Sequence, residues 1–311
     1  RYDKWDFPQG DGLHPIFSAA LGKLRTRWFS PPYFHQEESH TMICGIIDLG
    51  SNTIRLSIYQ CENGRGKLLT NRKVMAGLAG YVVDGELSRA GIQVACQTLE
   101  EYKALMGNLG FENLRVFATA SLRNVSNTAE AVSQIQAATG LEVDVISGTE
   151  EARLSFLGAV HGQGPEEGLL IDLGGGSTEL VKYQGREILS SCSLSLGSLS
   201  LYSRFVSRLH PTKPERKAIR AQVREQLERH DPTPAPIAHA CGVGGTARAA
   251  CKVANLAFGR NQDCLTLTAK ELHKLLKLLR DPDRQMLNLL LKAAPDRIHT
   301  LVPGLIVLDT V

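Results

Sequence analysis

The feature that most constrains this 311-residue chain is an internal repeat. DLGSNTIRLSIYQ (48–60) aligns with DLGGGSTELVKYQ (172–184) when Asp48 is set against Asp172, and the match takes in the Asp-Leu-Gly start and the closing Tyr-Gln. MICGIID leads into the first copy and GLLIDL into the second, so each copy reads as strand, glycine turn, strand. Glycines at such a tip let backbone N–H groups approach an anion, because no Cβ stands in the way. One device used once per half calls for two α/β units. At this length, with 43% hydrophobic residues, each half can bury a core of its own.

From Met42 onward strands and helices alternate, the pattern of an α/β architecture. Apolar residues at helical spacing run from Ser88 to Leu109 and through TAEAVSQIQAATG, which Gly140 closes. NLRVFATAS and LEVDVIS read as strands, EARLSFLGAV as a helix leading into the second half, and Pro214 to His230 as a charged helix. Residues 1–41 stand apart, with both tryptophans and an SPP break, and read as an N-terminal extension outside the fold. The expected domains are 42–154 and 155–311.

Charge and cysteine usage narrow the function classes. With 35 basic and 32 acidic residues, a net charge of +3 and no basic tail, general nucleic-acid binding is not expected. No apolar run reaches the roughly 18 residues a membrane helix needs. The seven cysteines form no CxxC pair, which fits reduced thiols in the cytoplasm.

The glycine turns belong to neither common nucleotide motif. GGGST leads into a strand where a dinucleotide fingerprint requires a helix, and GRGK (64–67) lacks the P-loop spacing. A third glycine turn, GVGGTA, follows at 242–247. Hydroxyls at Ser177 and Thr178 suit a phosphate, and the carboxylates of Asp172 and Glu179 are the oxygen ligands Mg²⁺ takes beside waters and phosphate oxygens. In VISGTEEARL, Ser147 and Glu150 fit a capping box that leaves Glu151 over. Taken singly, each feature has a plainer reading, a satisfied hairpin turn or a pair of acids at a helix start.

Taken together and in order, GIIDLGSNTIRL, ATASLRNVSN, EVDVISGTEEARL and LLIDLGGGSTEL resemble the exopolyphosphatase/guanosine pentaphosphate phosphatase family in its short two-domain form. That family lies within the actin, sugar kinase and Hsp70 ATPase superfamily, and the resemblance covers Met42 to Val311. It implies two ribonuclease H-like domains flanking a central cleft, and Mg²⁺-dependent hydrolysis of the terminal phosphoanhydride of polyphosphate or guanosine pentaphosphate. Carried over residue by residue, it makes Glu151 the general base. Asp48, Ser51, Asn52 and Arg123 become phosphate contacts of the first domain, and Gly174, Gly175, Gly176, Ser177, Gly244, Gly245 and Thr246 those of the second. Asp172 and Glu179 become the Mg²⁺ ligands.

Two departures from the family pattern stand out. VMAGLAGYVVDG (74–85) lacks the arginine and early acid of the family's segment there, and the chain stops at LVPGLIVLDTV, short of a further strand and helix, so that the second domain reads as truncated. Two other readings stay open: a phosphotransferase of the same superfamily, for which the sequence shows no adenosine pocket or acceptor site, and a catalytically weak protein that senses polyphosphate or guanosine alarmones, which the two departures favour. The expected partners are polyphosphate or guanosine pentaphosphate, with a homodimer allowed and neither nucleic acid nor membrane involved.

Overall fold

The structure, a computed structural model, describes residues 4–6, 42–62, 65–160, 165–185, 187–230 and 237–311. The chain divides into two compact units, residues 11–161 and residues 1–10 with 162–311. Strand β1 is Lys4–Asp6. The remainder of the 1–41 segment lies outside the described residues.

The first unit contains β2 (Met42–Leu49), β3 (Ile54–Glu62), β4 (Arg65–Val74), the short pair β5 (Val82–Val83) and β6 (Glu86–Leu87), and helix α1 (Arg89–Asn108). It continues through β7 (Leu114–Ala118), α2 (Ala120–Arg123), α3 (Thr128–Thr139), β8 (Val143–Val145) and α4 (Gly148–Val160). Its sheet has the order β4-β3-β2-β7-β8, antiparallel from β4 to β2 and parallel from β2 to β8. Alternation along β2 divides the core. Ile47 and Leu49 turn to one face with Ile54, Leu56, Leu99 of α1 and Ile135 of α3. Cys44 and Ile46 turn to the other, with Tyr59, Phe117 and Leu154 of α4. Because Leu154 is buried against that face, α4 belongs whole to the first unit, and the boundary falls at residue 161, past the 154 expected from sequence. Helix boundaries follow the expected signals: Ser88 caps α1 by accepting from Gly91 N, and Gly140 ends α3 in the left-handed region at φ 68°.

The second unit contains β9 (Glu167–Leu173), β10 (Thr178–Gln184), β11 (Glu187–Leu194), α5 (Ser198–Phe205), α6 (Lys213–His230) and β12 (His239–Val243). It goes on through α7 (Gly245–Phe258), β13 (Leu267–Thr268), α8 (Ala269–Leu278), α9 (Arg284–Ala293), a 3-10 turn at Pro295–Arg297 and α10 (Leu301–Thr310). The sheet order is β11-β10-β9-β12-β1-β13. β11, β10 and β9 are antiparallel, β12 is parallel to β9, and β1 is parallel to β12. The first five positions therefore repeat the order and directions of the first sheet, and β1 stands beside β12 as β8 stands beside β7. Lys4–Asp6, expected outside the fold, thus form part of it through ladder bonds in the register Lys4↔His239. Both units are ribonuclease H-like α/β layers.

At the centre of the second unit lies α10, apolar around its circumference and buried from Leu301 to Leu308. Helices α5, α6, α7 and α8 contact it. Each of its large aliphatic side chains contributes about 1.5–3 kcal/mol through burial.

Helix α6 is tied down at its start by Glu215, which the sequence reading missed. Glu215 accepts from Thr212 N at 2.7 Å and from Ser207 N and Oγ at 3.0 and 2.8 Å. These bonds hold its pKa at about 2, below the ordinary 4.5. Its contribution to stability is therefore complete above the ordinary carboxylate range and is lost as pH falls from there through about 2. Glu215→Ala is expected to cost about 1 kcal/mol, as for other lost caps. Urea titrations of variant and wild type should differ at pH 7 and converge as the pH is lowered.

Candidate active site

In the first unit the predicted residues collect at the carboxyl ends of β2, β7 and β8. The β2–β3 turn closes through Gly50 N donating to Thr53 O at 3.1 Å, and the carbonyls of Ser51 and Asn52 accept from Ala79 N and Gly77 N at 2.9 and 3.0 Å. The 74–85 segment, which lacks the family's charged residues, thus props the hairpin tip through its backbone, with a 3-10 turn at Leu78–Tyr81. Ser51 and Asn52 are buried there, and Asn52 Nδ2 has no partner among the described residues. Asp48 is set opposite Arg55 of β3 and Phe117 of β7.

Arg123 ends α2, a four-residue helix docked on β2 by a bond from Ser121 Oγ to Leu49 O. Its Nη1 donates to Glu151 Oε2 at 2.7 Å and to Ile146 O at 3.1 Å, with the two side chains 17% and 16% exposed. Ser147 Oγ accepts from Glu150 N as a helix cap should, and the Glu150 carboxylate holds Arg153 through two bonds of 2.9 Å. Ser147 thus caps the helix start as expected, whereas the Glu150 carboxylate, expected to reach back to the backbone, is engaged with Arg153. The sequence did not show that Glu151 and Arg123, 28 positions apart, would be one pair.

In the second unit the predicted residues meet at the carboxyl ends of β9 and β12. Asp172 and Glu179 are direct cross-strand partners, so their side chains share a sheet face. Glu179, 1% exposed, accepts from Ser193 Oγ at 2.8 Å. Gly174 N donates to Ser177 O at 3.0 Å, closing the turn. The carbonyls of Gly174 and Gly175 accept from Ser198, Leu199 and Ser200 N at 2.9–3.0 Å, so the tip caps the start of α5. Part of the demand for glycine is therefore packing, because a Cβ on Gly197 would overlap the Gly175 carbonyl and Gly176 N.

The third turn meets the same corner. Gly244, at φ 96°, has a conformation L residues avoid, and a Cβ there would lie 2.8 Å from Leu173 O and 3.4 Å from Asp172 Oδ1. It brings the start of α7, a 14-residue helix whose N–H groups and dipole suit an anion, against the end of β9. Thr246 is fully buried in that first turn, and its Oγ1 has no partner among the described residues. Two residues the sequence reading missed support this corner. The Arg297 guanidinium lies where a Cβ on Gly245 would be, and Gly304 of α10 leaves room for Thr246 Cγ2. Neither had a sequence signal, since each is fixed by a contact distant along the chain.

The donor set suits Mg²⁺. Asp172 and Glu179 supply carboxylate oxygens from adjacent strands, and no cluster of three or more His, Cys, Asp or Glu builds a closed cage among the described residues. A cation that keeps several waters and binds phosphate oxygens needs only one or two protein carboxylates. No helix among the described residues is long and apolar enough to cross a membrane.

Comparison with known proteins bears on the family and the fold. The Ppx/GppA phosphatase family description matches residues 57–311. A Ppx/GppA family member from Aquifex aeolicus is 25% identical, with 87% of this chain and 90% of that chain covered and a TM-score of 0.66. An exopolyphosphatase-like protein is 25% identical over 86% of this chain and 87% of its own, at a TM-score of 0.74. An exopolyphosphatase from Cytophaga hutchinsonii, 22% identical with 86% and 89% covered and a TM-score of 0.71, shares the fold. The family match begins within β3 and runs through the second hairpin, the third glycine turn and α10, and on that extent the chain belongs to the Ppx/GppA phosphatase family, a family of phosphohydrolases.

Proposed function

We propose that the chain releases the terminal phosphate of inorganic polyphosphate or guanosine pentaphosphate, with Mg²⁺, in the cytoplasm. The observation that carries this reading is that each unit holds a buried donor beside a glycine turn with no partner among the described residues, Asn52 Nδ2 in the first and Thr246 Oγ1 in the second. A buried polar group left unsatisfied costs about 1–3 kcal/mol, which phosphate oxygens would relieve.

Glu151 takes the proton of the attacking water, as a carboxylate base must. Arg123 fixes that carboxylate, and its five-donor fork can serve the carboxylate, the Ile146 carbonyl and phosphate oxygens together. The N–H groups of Gly175, Gly176 and Ser177, that of Gly174 being already given to Ser177 O, and those of the α7 start take the charge that builds on the transferring phosphoryl group. Asp172 and Glu179 would hold Mg²⁺, whose chemistry when bound is to neutralise phosphate charge.

The test is phosphate release with Mg²⁺ from long-chain polyphosphate, guanosine pentaphosphate and ATP side by side. Release from one of the first two names the substrate, whereas release from ATP alone, or from none, overturns the reading. Asp172→Ala is expected to lower the rate at least tenfold, with part of the loss recovered as Mg²⁺ is raised. A variant whose rate ignores Mg²⁺ concentration would argue against ligation by Asp172.

A further inference from the structure

Two thiols face each other in the first unit, away from any role in phosphate chemistry. Cys44 of β2 and Cys61 of β3 are buried and carry free thiols, with their Sγ atoms 3.2 Å apart. The register pairs Cys44 with Tyr59 and Met42 with Cys61, so the two cysteines are diagonal neighbours on one face of the antiparallel pair. Both belong to the cluster formed with Ile46, Phe117, Ile146 and Leu154.

We propose that Cys44 and Cys61 are a modification site, at which a peroxide converts the two thiols into a disulfide across β2 and β3 that a thiol reductant reverses. The sulfurs stand 3.2 Å apart and a disulfide bond is about 2.0 Å, so they close by about 1 Å, and because diagonal positions are spaced wider than direct cross-strand partners, β2 and β3 draw together locally as the bond forms. The roles within the pair are unequal. The hydrogen bond with Cys44 lowers the Cys61 pKa, and the same bond together with burial raises that of Cys44. Cys61 is also next to the exposed Glu62 at the end of β3, which gives a small oxidant a way in.

Thiolate is the nucleophilic form. The Cys61 thiolate attacks one peroxide oxygen, the O–O bond breaks, and the departing hydroxide takes a proton to leave as water, giving a sulfenic acid. The Cys44 sulfur then attacks the Cys61 sulfur, the S–S bond forms, the S–O bond breaks, and the second oxygen leaves as water with the Cys44 proton. Two thiols are oxidised and one peroxide is reduced to two waters.

The test uses the whole chain, treated with hydrogen peroxide, quenched, denatured and alkylated. The expected result is the loss of two of the seven thiols, a mass before alkylation lower by two hydrogens, and recovery of both thiols with dithiothreitol. Trypsin cleaves after Arg55, between the two cysteines, so an unreduced digest should join the peptide ending at Arg55 to residues 56–65. Cys264, whose thiol pKa is lowered by its hydrogen bonding with Thr266 and by the Arg260 guanidinium that donates to its sulfur, is the internal competitor. Thiol loss that maps to Cys264 in place of the pair, oxygen added to Cys61 while Cys44 remains alkylable, or no loss at all overturns the proposal. In Cys44→Ser the two-thiol loss should vanish and a sulfenic acid should be trapped at Cys61 by a dimedone reagent. A persistent two-thiol loss in that variant also overturns it.

Discussion

Glu151→Gln is expected to slow phosphate release by roughly 10²- to 10⁴-fold, the range for loss of a general base, while the protein stays folded and retains its ligand. The choice of glutamine follows from the bond at 2.7 Å between Arg123 Nη1 and Glu151 Oε2. An amide oxygen still accepts that bond, so the arginine and the start of α4 keep their places, and what disappears is the ability to take a proton. Truncation to alanine would also take the carboxylate away from the guanidinium, 17% exposed beside Ile146 O, and would confuse loss of chemistry with loss of structure. Rates for the substrate that wild type prefers, measured at saturation with binding followed separately, decide the matter. Turnover within a few-fold of wild type would remove Glu151 from the mechanism.

Gly197→Ala is expected to injure stability and rate together. The added methyl would overlap the Gly175 carbonyl and the Gly176 nitrogen, which are backbone atoms and cannot swing aside. Overpacking of this kind costs about 1–3 kcal/mol. Relief requires the Gly174–Ser177 turn to lift from the start of α5, giving up the bonds to Ser198, Leu199 and Ser200 N. A displacement near 1 Å at a group that positions substrate can cost on the order of 10²-fold in rate. Gly107→Ala is the control, since Gly107 is within α1 and a Cβ there meets nothing within 4 Å. That change should be neutral or stabilising. If both alanine variants melt and turn over alike, the packing account of the second hairpin fails.

Legibility in the sequence tracked the range of the interaction. The two hairpins, α1, α3 and the Ser147 cap were readable because periodicity, capping and turn chemistry act within a few residues. Asp172 and Glu179 could be named as carboxylates of one hairpin, and the strand register then put them opposite each other. The bond between Arg123 and Glu151 was not readable, because it depends on α2 and α4 meeting at the ends of separate strands. Gly197, Arg297 and Gly304 were missed for the same reason: each answers to a partner far along the chain. Strand β1 escaped because three residues are too few for alternation to declare itself. The boundary set at 154 cut α4 because an amphipathic helix does not reveal which sheet it covers, and burial of Leu154 against Cys44 and Ile46 decided that.

The placement of α10 bears on how the protein is made. Strands β2 to β8 and helices α1 to α4 all lie between Met42 and Val160, so the first unit has its described elements in hand once that stretch leaves the ribosome. The second unit is different, for the helix at its centre comes after β9 to β13 and α5 to α9 have already been synthesised. Until Leu301 to Leu308 arrive, the faces of α5, α6, α7 and α8 that will enclose them have nothing to cover them. Nascent domains mature as units from the N-terminus, and apolar surface exposed in the interval invites aggregation. A translation pause after residue 161 and before residue 301 would therefore hold one half with all its described elements beside another whose apolar helix faces are still open.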